Sequence, residues 1–307
     1  MLEDAETRKG LIYGAVAYLL WGLFPLFWPL LEPAGTIEIL AQRMTWSLVV
    51  VAIILWATGG FRSVRSVFAD RRQRVLLLFA AIAITVNWGT YIWGVNSGHV
   101  VETSLGYFIN PLFTILLGVV VLGERLRPAQ WIAVAIGTVA VAVIAIDYGR
   151  PPWIALVLAF SFGMYGYLKK RAAVGAVDSL AIETGAMFLP AVIALVVISA
   201  QGNLAFGHHG VGNCLLLASA GVVTAVPLLF FAASTRRLPL SVLGLLQYLA
   251  PVLQFAVGVG IRHEPLPRAE LIGFALVWTA LILLTVDGLR AGRRSATLAA
   301  AAAASSI

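Results

Sequence analysis

Ten stretches of about 20 predominantly apolar residues, separated by short polar breaks, dominate this 307-residue chain. A helix rises about 1.5 Å per residue, so each stretch can cross the roughly 30 Å hydrocarbon core of a bilayer. Lipid supplies no hydrogen bonds to exposed backbone, and a lone run of that length satisfies its own N–H and C=O groups only as a helix. Composition agrees, with 61% hydrophobic and 11% charged residues, against about 45–50% and 25% in soluble domains. The chain is therefore expected to be an all-α integral membrane protein with ten spans. They fall near 10–31, 38–58, 75–97, 102–122, 129–147, 152–168, 179–199, 214–234, 241–261 and 269–288.

Gly or Pro punctuates many of the breaks, as at Pro33, Gly59-Gly60, Pro128, Pro151-Pro152 and Pro265. The start, Met1-Leu2-Glu3-Asp4-Ala5-Glu6, lacks the basic residues of a cleaved signal peptide, so the first run is expected to be retained. Residues 289–307, which include six consecutive alanines, are expected to form a loosely ordered cytoplasmic tail.

Lysine and arginine set the orientation, because cytoplasmic loops retain them. With a cytoplasmic N-terminus, the inside segments hold 17 of the 21 basic residues. Arg150, Arg262 and Arg268 fall outside, and Arg43 falls within the second span. Both termini are thus expected in the cytoplasm of a bacterial inner membrane. A net charge of +7 raises nucleic acid as a partner, but short clusters between apolar runs form no continuous basic face, and topology accounts for them. The one cysteine, Cys214, permits no intrachain disulfide.

Sliding the chain by 140 residues sets Gly123-Glu124-Arg125-Leu126-Arg127-Pro128-Ala129 against His263-Glu264-Pro265-Leu266-Pro267-Arg268-Ala269. At the same offset Asn110-Pro111-Leu112 faces Ala250-Pro251-Val252, and Asp147 faces Asp287. The expected units are residues 10–147 and 152–288, five spans each. An odd number of spans turns the second unit upside down, an inverted-repeat architecture associated with transporters whose substrate site lies where the halves meet.

Charges inside spans are costly and ordinarily face a cavity or a partner. Arg43 is the clearest, read either as a snorkelling side chain or as a functional group with Glu102 as partner. Glu183, near the inner start of the seventh span, is a third. Tyr107, Asn110 and Thr114 share one helix face; the offset maps them onto Gln247, Ala250 and Gln254. Pro111 and Pro251 follow at matching positions, where a mid-span proline frees a carbonyl. These polar residues line a cavity or act as interhelical glue. Asn87, Tyr91 and Trp21 lie near mid-span and would suit a flat or amphipathic organic molecule, whereas Trp28 and Trp93 read as interfacial anchors. The four histidines fall in outside loops; no metal-binding spacing, phosphate loop or catalytic constellation occurs, so neither enzyme activity nor a cofactor is expected.

These motifs resemble the RarD-type members of the EamA family, within the drug/metabolite transporter superfamily, from about Arg8 to Arg294. The resemblance rests on Ala17-Tyr18 with Trp21-Gly22, Glu38-Ile39-Leu40 with Arg43 and Trp46-Ser47, Asn87-Trp88, and Val95-Asn96. It rests above all on Ser104-Leu105-Gly106-Tyr107-Phe108-Ile109-Asn110-Pro111-Leu112. Leu122-Gly123-Glu124-Arg125, Ile182-Glu183-Thr184 and Gln247-Tyr248 with Pro251 complete it. His263-Glu264 stands where Gly-Glu is typical. The resemblance implies two inverted five-helix repeats and a permease for small organic compounds, and it marks Arg43, Asn87, Tyr107, Asn110, Glu183 and Gln247 as family-typical positions.

The expected function is secondary, ATP-independent export or permeation of small organic metabolites or drugs, by alternating access around a midplane cavity. A proton is the candidate coupling ion. The competing readings are a non-transporting polytopic membrane protein, such as a lipid-active enzyme or a complex subunit, and a facilitative channel.

Overall fold

The computed structural model describes residues 2–122, 126–172, 174–235, 237 and 246–304. Every regular element in it is helical. The helices are α1 (Leu2–Gly22), α2 (Phe24–Phe27), α3 (Thr36–Thr58), α4 (Phe61–Ala69), α5 (Arg71–Asn96) and α6 (Val100–Leu122). They continue as α7 (Pro128–Tyr148), α8 (Trp153–Ala172), α9 (Ala176–Ala200), α10 (Gly210–Thr235), α11 (Leu249–Ala256) and α12 (Arg268–Ala304). A 3-10 turn, Trp28–Leu31, follows α2, and a π turn, Val257–Ile261, follows α11.

Among the described residues, six helices are long and apolar enough to cross a membrane: α3, α5, α7, α9, α10 and α12; the bent pair α1–α2 makes a seventh if it is one span. Their outer surfaces carry Ile53, Phe79, Leu189, Val211, Leu215 and Ile282, large apolar side chains exposed to the surroundings. That is the pattern of helices solvated by lipid, where packing and hydrogen bonds, not apolar burial, hold neighbours together.

Local sequence explains the ends. Asp70 caps α5 by accepting from the Arg72 and Gln73 N–H groups at 2.8 and 3.1 Å. α3 ends at Gly59, whose φ of 66° fits a residue without a Cβ. The first span bends by 41° between α1 and α2. Pro25 explains it: the residue has no N–H to give the carbonyl of Trp21, four residues back, and its ring crowds that turn. Gln254 on α11 donates to the freed carbonyl at 3.2 Å.

α3 packs on α9, on α10 and on α5; α5 packs on α8 and α9; α6 on α8 and α11; α1 on α10 and α11; and α7 on α12. α3 and α10 approach backbone to backbone, since a Cβ on Gly221 would stand 2.4 Å from the Trp46 carbonyl carbon. The connections gather at two ends. One end joins Glu38 to residues 205–206, Glu264 to the start of α6, and Glu102 to the start of α8. The other joins Ser63 to Asp178, Arg237 to Glu6, and Arg127 to Asp287.

The structure adds one helix and corrects two expectations. Residues 61–69 form α4, a short helix with no buried residue. Phe61, Val64 and Phe68 alternate in it with Arg62 and Arg65, an amphipathic spacing too short to register as a span. The tail is helical as far as Ala304, because alanine is the strongest helix former. Pro111 does not break α6, which runs uninterrupted from Val100 to Leu122. Pro251 does follow a break: residues 247–248 form a turn inside the ninth expected span, and Pro251 sits in the first turn of the helix that restarts at Leu249, where its missing N–H needs no partner. Further irregularities lie at Leu23 and in the π turn after Ala256. Glu124 and the start of the ninth expected span, residues 241–245, lie outside the described residues.

Candidate substrate site

Arg43 lies two turns inside α3 and is 2% exposed. Its Nε donates to Thr224 Oγ1 on α10 at 2.8 Å, and the Thr224 hydroxyl donates in turn to the Ala220 carbonyl. The guanidinium carbon stands 3.7 Å from the centre of the Trp88 ring, 4.8 Å from Trp28 and 5.8 Å from Phe24. Three aromatic faces therefore surround the cation, each contributing about 0.5–2 kcal/mol in a desolvated site. Among the described residues no carboxylate lies within ion-pair distance of it.

Glu102, the partner expected for Arg43, is engaged elsewhere. Its carboxylate accepts from the Ile154 N–H at 3.2 Å, at the start of α8, and meets Arg150 at 3.5 Å. A carboxylate is favoured at a helix N-terminus, where backbone N–H groups lack partners. Nor does Arg43 snorkel: with Thr224 and three rings around it, the head group is held in the protein. Trp28, expected at the membrane interface, is fully buried against it.

A polar chain extends from this cage. Tyr91 and Tyr107 meet edge to face at 5.6 Å. Tyr107 donates to Asn87 Oδ1 at 3.1 Å, and Asn87 Nδ2 donates to the Leu158 carbonyl and to Ser161 Oγ at 3.1 and 3.0 Å. Asn87 thus spends its amide tying α5, α6 and α8 together. Ser161 also lines a groove of about 640 Å³ between α5 and α8, walled by Phe79, Ile82, Val86, Leu156, Phe160 and Met164. Phe162 stands edge to face with Tyr107 at 5.9 Å and leads to Tyr165, 6.1 Å further on. Tyr165 donates to Glu183, which also accepts from Ser179 and forms an ion pair with Lys169, all at 3.1 Å. Lys169 in turn donates to Ser179.

The other candidates diverge. Asn110 is buried with its Oδ1 toward Gly163 of α8. Gln254 is buried on α1 through Trp21, whose ring stacks near Tyr18 and Phe231. Gln247 is half-buried in the turn before α11. The Thr114 side chain lies outside the described residues.

Among the described residues, four polar atoms of the cage residues and of Ser47, one turn along α3 from Arg43, are fully buried and have no hydrogen-bond partner: Arg43 Nη1, Ser47 Oγ, Trp28 Nε1 and Tyr91 Oη. Ser47 follows Arg43 by one turn on the same face of α3. Tyr91 and Trp28 belong to one apolar cluster with Phe24. Sequence reasoning missed Trp28, Trp88, Phe24 and Thr224. The family-typical Trp next to Asn87 was the one available signal for Trp88; Thr224 carries none. No group of three or more His, Cys, Asp or Glu residues among the described residues is arranged to hold a metal ion.

Comparison with known proteins points one way. Residues 8–146 match the EamA-like transporter family. The chain is 56% identical to "Protein RarD" of Streptomyces exfoliatus, covering 99% of this chain and 96% of that one. It is 42% identical to "Uncharacterized transporter YojE" of Bacillus subtilis, over 96% and 99%. A solved crystal structure shares the fold at a TM-score of 0.60 and 20% identity, covering 90% of this chain and 97% of its own.

Proposed function

Because the chain belongs to the EamA-like transporter family, in its RarD branch, we propose that it is a secondary transporter, an exporter or permease that moves small organic molecules without ATP. On this reading residues 10–147 and 152–288 are inverted five-span repeats, both termini are cytoplasmic, and substrate binds at the centre by alternating access.

The packing pattern carries the reading. When the two halves are exchanged, α3–α9, α6–α11 and α7–α12 map onto themselves, α5–α8 maps onto α10–α1, α6–α8 onto α11–α1, and α5–α9 onto α10–α3. A scaffold whose contacts survive that exchange has two equivalent ways of leaning, which is the physical basis of alternating access in inverted repeats. The two ends support the orientation: the end holding Arg62, Arg65, Arg71, Arg72, Arg74, Arg127 and Arg237 is the basic one.

The site assigned to substrate is the cage of Arg43, Trp28, Trp88, Tyr91 and Phe24, with Trp21 at the helix break beside it. Asn87 and Tyr107 position its wall. At the opposite end from the basic loops, Glu38 accepts from the Ala205 and Phe206 N–H groups at 3.0 and 2.8 Å, and Glu264 accepts from Val100 and Val101, both at 2.7 Å. Each of these carboxylates joins one half to the other, which supports reading that end as the closed one.

The test is flux in liposomes containing the purified protein, with a panel of labelled neutral, cationic and anionic metabolites and with or without a pH gradient. Saturable uptake of at least one solute is expected. Absence of saturable flux across all classes, with folded protein in the membrane, would favour a non-transporting membrane protein.

A further inference from the structure

We infer that the substrate is an organic anion: a flat apolar body bearing one carboxylate, which the Arg43 cage binds. The inference rests on the transporter reading and names the substrate class of that same site.

On the cage residues and Ser47, four buried polar atoms have no partner among the described residues: Arg43 Nη1, Ser47 Oγ, Trp28 Nε1 and Tyr91 Oη. Every one carries a hydrogen to donate, and the indole and guanidinium nitrogens can only donate. Buried polar groups in folded proteins are almost always paired, so a ligand that completes this set is rich in acceptors. A carboxylate presents two oxygens and about four lone-pair directions, and the guanidinium fork matches it. Sign agrees with hydrogen bonding, because a buried cation with no carboxylate in reach is stabilised by an incoming anion.

Charge also limits the choice. The cage holds one positive charge, and the neighbouring Lys169–Glu183 pair is already balanced at 3.1 Å. A monoanion would leave the centre neutral, whereas a phosphate dianion would leave an uncompensated charge in the membrane. The rest of the wall, Phe24, Trp28, Trp88 and the Tyr91–Tyr107 pair, offers ring faces and edges that pack on a flat apolar body.

Binding is read by tryptophan fluorescence of the purified protein in lipid nanodiscs, with benzoate and indole-3-acetate set against benzamide and indole-3-acetamide. Each pair differs in charge and little in shape. Saturable binding of the carboxylates is expected, at least about tenfold tighter than the amides, and Arg43→Gln should abolish the difference. Should Arg43→Gln fail to fold, Tyr91→Phe and Ser47→Ala remove one donor each, and each should weaken carboxylate binding roughly threefold to thirtyfold. Equal affinity for acid and amide, or carboxylate binding unchanged by these substitutions, overturns the proposal. Failure of the two readings is separable: saturable flux of neutral or cationic solutes alone keeps the transporter and removes the anion, while carboxylate binding without flux of any solute keeps the anion site and removes the transporter.

Discussion

Arg43 and Glu183 stand 140 residues apart, the offset at which the sequence aligns with itself, on α3 and α9, which pack against each other. Both are 2% exposed. They have opposite charge, and each finds its partners elsewhere: Arg43 in Thr224 and three aromatic rings, Glu183 in Lys169, Ser179 and Tyr165. α3 thus carries a cation with no counter-charge among the described residues, and α9 a carboxylate held in an ion pair with Lys169.

The Lys169–Glu183 pair is expected to be structural. Removing one partner of a buried pair leaves the other uncompensated, at a cost of about 3–5 kcal/mol, whereas removing both is far milder. Lys169→Met should lower the unfolding temperature in detergent sharply, and the double variant Lys169→Met/Glu183→Gln should recover most of the loss. Equal destabilisation by the single and double variants would refute the coupling.

Pro25 and Gln254 act on the same carbonyl. Pro25→Ala returns an N–H to Trp21 and should straighten the first span, with folded stability kept or raised and transport reduced. Gln254→Leu should cost about 1–2 kcal/mol by stranding that carbonyl. Thermal unfolding and liposome flux, measured on both variants, separate a bend needed for transport from one needed for folding.

Gly221 allows α3 and α10 to meet, and so places Thr224 beside Arg43. An added Cβ would lie 2.4 Å from the Trp46 carbonyl carbon and 2.5 Å from its oxygen. Gly221→Ala is expected to separate the helices and reduce the yield of folded protein. Gly185→Ala is the control: nothing lies within 4 Å of its added Cβ, and alanine in a helix interior should gain about 0.5–1 kcal/mol.

Glu264 ties the segment before α12 to the start of α6, accepting from the Val100 and Val101 N–H groups at the end opposite the basic loops. Glu264→Ala frees the Val100 and Val101 N–H groups, and loss of a helix cap costs about 0.5–2 kcal/mol. In a Cys214→Ser background, a cysteine at position 99 should then react faster with a membrane-impermeant thiol reagent. No change in rate would show that the carboxylate is not part of the closure.

Topology has its own test. Reporter fusions after Arg74, Lys170 and Arg294 should report cytoplasm, and fusions near Gly98, Pro151 and Gly207 the outside. An inverted result near Pro151 would break the five-plus-five arrangement.

Much of the fold was legible because a membrane leaves little choice. An apolar run of about 20 residues has to be a helix in lipid, and α3, α5, α7, α9 and α10 begin and end within about four residues of the expected spans. Basic residues likewise sort the loops to two ends without reference to any contact. Arg43 stood out for the same reason, as a charge where charges are expensive. Its surroundings did not. Nothing local distinguishes Trp28 at a membrane interface from Trp28 buried against a guanidinium, or ties Thr224, 181 residues away, to Arg43. The expected pairing with Glu102 matched depth alone, and depth says nothing about which helices are neighbours. Sequence by itself determined which segments are apolar helices suited to a membrane, since that depends on each segment's own transfer from water to lipid. Only the tertiary structure decided which rings and polar groups surround Arg43, because that follows from how α3, α5 and α10 pack around the broken first span.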